Sequence, residues 1–339
     1  MLPRTPALAL TIAALAALAL RHARPAQAQD QAFTRDIAAR GRVFLEIGPG
    51  VSAIKRDAAG RYYVLAAPET AVLIYGADGN RAGQIPNANS KSARIVYASD
   101  IDLDADGRLF VADRGANAVK IFGADGSLDA TVFVAAPLSI AALSGGEFAV
   151  TSLHAEKLVS VYNAQGTLER TFGDLPAPAE GGERGALFTS GRLYGDGAGQ
   201  IHFVFTELPD PTIRKYDRFG YAAYEISLPA SEFKPPREAK QWTTLTIGKD
   251  QSAPPKPVIQ ALAADPETHE VWAAIGDEML HFDQDGSRRS AYHMTTKAGT
   301  PIEASAILVE HDRILVGDDP NGIFDFAYPE MRHAASLSH

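Results

Sequence analysis

Asp100-Ile-Asp-Leu-Asp-Ala-Asp-Gly-Arg-Leu-Phe-Val-Ala-Asp-Arg-Gly-Ala-Asn-Ala-Val-Lys-Ile-Phe-Gly-Ala-Asp-Gly126 alternates apolar and polar residues and is broken by two Asp-Gly pairs. A period of two puts Ile101 and Leu103, then Leu109 and Val111, then Val119 and Ile121 on single faces of three successive strands. Asp106-Gly107 and Asp125-Gly126 supply the positive-φ positions that tight hairpins need. With residues 131–134 added, the stretch becomes four antiparallel strands in about forty residues.

The same scheme recurs along the chain. Residues 51–85 read strand, Ala59-Gly60 turn, strand, a bend at Pro68-Glu69, strand, and Asp78-Gly79. Residues 138–172 repeat it with Gly145-Gly146, a bend at His154, and Gln165-Gly166. A fourth copy covers 191–228, a fifth 258–294, and a sixth opens at Ala304. Self-similarity near forty residues, each unit four short strands, predicts an all-β, six-bladed β-propeller of four-stranded antiparallel blades. The sixth copy ends at Gly322-Ile-Phe-Asp-Phe-Ala327 without a fourth strand, whereas Arg42-Val-Phe-Leu-Glu-Ile-Gly48 resembles fourth strands such as Leu168-Glu-Arg-Thr-Phe-Gly173. Residues 42–48 are therefore expected to pair with the last copy, closing the ring and leaving no open edge.

Val111-Ala-Asp-Arg-Gly-Ala-Asn-Ala-Val-Lys-Ile-Phe122 followed by Ala124-Asp-Gly126 resembles the NHL repeat, with its valine-alanine-aspartate bend, a following asparagine, and an aromatic before an aspartate-glycine turn. In this copy Ala116 holds the usual asparagine slot and Asn117 sits one place later. The resemblance implies the same six-bladed fold. It also implies an enzymatic alternative, because some related propellers are lyases or lactonases that use a metal in the central channel.

The first residues have the layout of a signal peptide: Arg4, an apolar run from Ala7 to Leu20, and Ala26-Gln27-Ala28 as a small-x-small cleavage site. The expected division is a signal peptide over 1–28, an arm over 29–41, one propeller domain over 42–330 and a tail over 331–339. Fourteen apolar residues reach roughly 21 Å as a helix, short of the ~30 Å hydrocarbon core, so no membrane span is expected in the mature chain. Export implies a periplasmic or secreted protein, and the absence of cysteine leaves its stability to the packed core. Removing Arg4, Arg21 and Arg24 leaves 29 basic against 41 acidic side chains, a surface that repels phosphate backbones. Nucleic acid is not an expected partner.

In such an array the turns between second and third strands share one face with the blade-to-blade connections, and the remaining hairpins share the other. The first set carries the insertions, at 86–97, 174–188, 229–257 and 295–303, while the hairpins are tight and glycine-based. Long loops gathered on one face are where binding residues usually sit. The candidate ligand-binding residues are Arg94, Tyr97, Arg114, His154, Arg184, Glu207, Trp242 and Asp318, with Glu69, Glu183, Arg237 and Asp319 nearby in the same loops and turns. Arginine, carboxylate and aromatic groups together suit a protein, peptide or glycan partner through bidentate pairing and stacking. A monomeric, non-catalytic binding protein is the leading expectation.

Two cofactor readings arise. Asp102-Leu-Asp-Ala-Asp-Gly107 matches the start of an EF-hand loop, with Asp113 at its twelfth position, which raises calcium. Against it, residues 108–112 read as a strand that carries Asp113 to the opposite face, so no cofactor is expected. For a channel metal the histidines do not converge, and an oxygen-only set of Glu69, Glu207 and Asp318 is the remaining arrangement. No Gly-x-Ser-x-Gly elbow or phosphate-binding loop is present.

Overall fold

The computed structural model describes residues 34–87, 93–153, 155–175, 191–197, 199–205, 210–233 and 258–329. Two short strands come first, β1 (Thr34–Ala38) and β2 (Gly41–Val43). Blade one is β3 (Ala53–Arg56), β4 (Tyr62–Leu65), β5 (Val72–Tyr75) and β6 (Arg81–Ile85); blade two is β7 (Ala98–Leu103), β8 (Leu109–Asp113), β9 (Ala118–Phe122) and β10 (Leu128–Phe133). Blade three is β11 (Pro137–Ala142), β12 (Phe148–Ser152), β13 (Val159–Tyr162) and β14 (Leu168–Phe172); blade four is β15 (Gly191–Gly195), β16 (Ile201–Phe205), β17 (Thr212–Tyr216) and β18 (Ala222–Ser227). Blade five is β19 (Ala261–Ala264), β20 (Val271–Ile275), β21 (Glu278–Phe282) and β22 (Arg288–Thr295), and blade six begins with β23 (Ala304–Val309), β24 (Arg313–Asp318) and β25 (Gly322–Ala327).

Blade six takes its fourth strand from the other end of the chain, because β2 pairs antiparallel with β25. The pairing covers Gly41–Val43 rather than the expected 42–48. Phe44 adopts φ 52 and turns the chain away, so that Phe44 and Ile47 bury themselves between blades six and one. The segment before it is also a strand. β1 lies parallel to β22 and gives blade five a fifth strand, which the alternation of the sequence had not signalled.

The hairpins repeat one device. In Asp57-Ala-Ala-Gly60-Arg61 the Gly60 amide donates to the Asp57 carbonyl and the Arg61 amide to the Asp57 carboxylate. The same bonds recur at Asp104 with Arg108, Asn163 with Thr167, Asp217 with Tyr221 and Asp283 with Ser287. The fourth residue needs positive φ, as at Gly107 (78°) and Gly126 (82°), which is the geometry of a type I turn closed by a glycine bulge.

Apolar burial is divided among six clusters, one at each junction between neighbouring blades. Both faces of each blade are therefore covered, and strands such as Leu109–Asp113 and Val271–Ile275 are buried along their whole length. The first strands of the blades pack in order around the axis.

Candidate functional site

On the loop-bearing face, the connection from blade one to blade two is fixed by one carboxylate. Asp113 ends β8, fully buried, and accepts hydrogen bonds from the amides of Val96 (3.1 Å), Tyr97 (3.0 Å) and Ala116 (3.3 Å) and from Lys120 Nζ (2.7 Å). Lys120 also donates to the Arg94 carbonyl. Burial works to raise the Asp113 pKa, but the Lys120 bond and the two amides outweigh it and hold the group below the usual carboxylate range. Gly115 completes the fit, since a Cβ there would lie 2.7 Å from the Val96 side chain and 2.9 Å from the Tyr97 amide.

The pinned connection presents Arg94, Val96 (44% exposed) and Tyr97 (43% exposed) to solvent, with the half-buried Arg114 on the adjoining turn. Three of the eight residues chosen from the sequence thus share one junction. Asp318 has a different setting: it ends β24 as Asp113 ends β8, is buried, and accepts from Asn321 Nδ2 at 2.7 Å. Its neighbour Asp319 accepts from the Gly50 amide at 3.0 Å and ties blade six to the connection entering blade one. His154, Arg184, Glu207 and Trp242 lie outside the described residues, as do Glu183 and Arg237. Asn117, one place late for the NHL pattern, takes a left-handed conformation and accepts from the Ala136 amide at 2.9 Å, linking its turn to the next connection.

The central channel holds a charged cluster that the sequence reading missed. Lys55 pairs with Asp102 at 2.8 Å, and Asp100 accepts from Ser139 Oγ and from the Ile140 amide at 3.2 Å. Asp102 also takes the Ala142 amide at 2.8 Å, so blade three is drawn against blade two on that side. Arg192 reaches across the axis, donating to the carbonyls of Gln260 (3.2 Å) and Ser52 (3.3 Å). Both carbonyls stand just before first strands, at the loop-bearing end. A cavity of about 410 Å³ extends from Ser52 and Arg192 to the hairpins at Asp57-Ala58, Asp196-Gly197, Pro266-Glu267 and Glu310-His311.

Burial opposes the Lys55 charge, but Asp102 and Asp100 overcome it and keep the ammonium above its ordinary range. Asp100 is pushed up by burial, which Arg192, Lys55 and Ser139 offset only in part. The signal for this cluster was present as polar residues inside first strands, in Asp100-Ile-Asp102 and Arg192-Leu-Tyr194, but alternation alone does not say which polar positions meet at the axis.

The EF-hand spacing is divided among three places. Asp102 faces the channel, Asp104 holds the amide and Nε of Arg108 in the hairpin, and Asp113 lies at the far end of β8. Among the described residues no group of three or more histidine, aspartate or glutamate side chains is arranged to hold a metal ion.

No family model and no curated protein sequence matches the chain. Solved structures do resemble it. The RRP9 WD40 repeats superpose with a TM-score of 0.57 at 11% identity, over 86% of this chain and 99% of that one. U3-55K gives 0.56 at 10%, over 84% and 98%. A streptogramin B lyase gives 0.51 at 14%, over 85% and 86%. At such identities the likeness is one of fold.

Proposed function

We propose that this chain is an exported, non-catalytic binding propeller that presents its loop-bearing face to a protein, peptide or glycan partner. The observation that carries the reading is the blade one to blade two junction. Tyrosine and arginine dominate the energetics of protein interfaces, and here they stand exposed on a backbone held by Asp113, Lys120 and Gly115, so little ordering is lost on binding. Within the channel, Asp100 and Asp102 are engaged by Lys55, Ser139 and backbone amides, and Arg192 by carbonyls. The NHL-like residues of blade two fit this role, since Asp113 and Asn117 both join turns to connections.

Among the described residues no helix is long and apolar enough to cross a membrane. The first described strand begins at Thr34, so removal of residues 1–28 would leave every described element intact.

Screening the mature protein against a displayed random-peptide library and a glycan array tests the proposal. Ligands selected on the wild type should lose at least tenfold in affinity for the Arg94→Ala/Tyr97→Ala double variant. Undiminished binding by that variant would remove this face as the binding surface.

A further inference from the structure

Four blades place polar side chains on the wall of the channel cavity: Lys55 from blade one, Asp100 and Asp102 from blade two, Arg192 and Tyr194 from blade four, and Ser305 from blade six. Five of them act on one another. Lys55 is paired with Asp102 at 2.8 Å, and the charges of Lys55 and Arg192 both reach Asp100 and the Tyr194 hydroxyl.

The acceptors of this cluster are filled. Asp102 takes Lys55 Nζ on one oxygen and the Ala142 amide on the other, and Asp100 takes Ser139 Oγ and the Ile140 amide on one oxygen and the Ile101 amide on the other. The donors are not. Lys55 Nζ carries three protons and has Asp102 as its one ion-pair partner among the described residues. The Tyr194 oxygen accepts from the Leu262 amide and from the Arg192 guanidinium, which leaves its own proton to be donated. Ser305 Oγ, on the bulge between Ala304 and Ala306 in β23, is buried and has no hydrogen-bond partner among the described residues. Burial raises the Tyr194 pKa and so keeps that proton in place, while the neighbouring carboxylates keep Lys55 charged. Donors in surplus beside two cations complement an anionic acceptor, and a buried hydroxyl without a partner costs free energy until one arrives.

We propose that the channel cavity is a second binding site, which takes a small organic carboxylate on Lys55, Tyr194 and Ser305, with Arg192 supporting its charge. The cavity volume of about 410 Å³ suits a small molecule. At the hairpin end the lining includes Glu267 and His311, both largely exposed and 3.1 Å apart, so a ligand enters there without crossing the loop-bearing face. The carboxylates of Asp57 and Glu310 at that end are offset by Arg61 and by Arg56 and Arg313, which lowers the barrier to an anion.

Saturation-transfer NMR tests the site with L-lactate as probe and propane-1,2-diol as the matched molecule lacking the carboxylate. Lactate should bind at least tenfold more tightly than the diol. Tyr194→Phe and Lys55→Met should each weaken lactate at least fivefold and Ser305→Ala at least twofold, whereas Arg94→Ala/Tyr97→Ala on the loop-bearing face should bind it as the wild type does. Ser305→Ala should melt at or above the wild-type temperature, since the hydroxyl it removes is unpartnered. If Lys55→Met does not fold, Tyr194→Phe and Ser305→Ala decide, because each deletes one hydroxyl and no charge. Absence of lactate binding, equal binding of the diol, or undiminished lactate affinity in both hydroxyl variants would overturn the assignment. Loss of lactate in the Arg94→Ala/Tyr97→Ala variant would move the carboxylate site to the outer face and overturn it equally.

Discussion

Asp113 shows how a single side chain turns a local sequence feature into a long-range fastening. Its place in Val-Ala-Asp reads as the end of a strand, yet its four donors come from the preceding connection, the following turn and β9. Replacing it with alanine leaves the buried Lys120 ammonium without its carboxylate, which should cost about 3 kcal/mol in urea unfolding. The pH dependence follows from the direction of the shift. The folded pKa lies below the unfolded one, so the stabilisation is complete above the ordinary carboxylate range and disappears as pH falls through the depressed value. Urea midpoints of wild type and Asp113→Asn should therefore be well separated at pH 7 and converge toward pH 3. A constant separation would show that the charge of Asp113 is not what stabilises the junction. Arg94, Tyr97 and Arg114 were legible as candidates because exposed arginine and tyrosine in an insertion are easy to read; the buried Asp113–Lys120 pair that orders them was not.

Among the elements, β1 and β2 are the informative ones, since neither belongs to the blade preceding or following it in the chain. β2 fills the outer position of blade six, whereas β1 is added to a blade five that already has four strands. β1 is largely exposed, and its loss uncovers an edge that the other blades also present. Loss of β2 also removes the Phe44 and Ile47 packing that follows it against blades six and one. A mature chain beginning at residue 39 should melt within a few degrees of the wild type, and one beginning at residue 49 should melt far lower or aggregate, as followed by circular dichroism and size-exclusion chromatography. Equal melting of the two truncations would sink the closure role of this segment. The sequence announced β2 through its likeness to other fourth strands. It was silent on β1 because a parallel partner from a distant blade leaves no local repeat to match.

At the scale of the molecule, the ring has two unlike ends. Arg192 spans the axis at the loop-bearing end, and the cavity it lines reaches the hairpins at the other. The proposed export bears on the same scale, because a ring whose last blade takes its fourth strand from the N-terminal segment closes only when both ends of the chain are available. Intact-mass measurement of the protein recovered from the periplasm or medium of its host should give a chain beginning at Gln29. Recovery of the full-length mass would overturn the signal-peptide reading.

The sequence by itself determined the blade count, the hairpins and the closure. Each depends on local alternation, on glycine at a positive-φ position, or on likeness between copies, and all three are written in contiguous residues. Only the tertiary structure decided which side chains meet across blades: Asp113 with Lys120 and the preceding connection, Lys55 with Asp102, and Arg192 with Gln260 and Ser52. Strand periodicity says which way a side chain points. What it meets there depends on how six blades are rotated about a common axis, and that rotation is set by apolar packing between whole sheets.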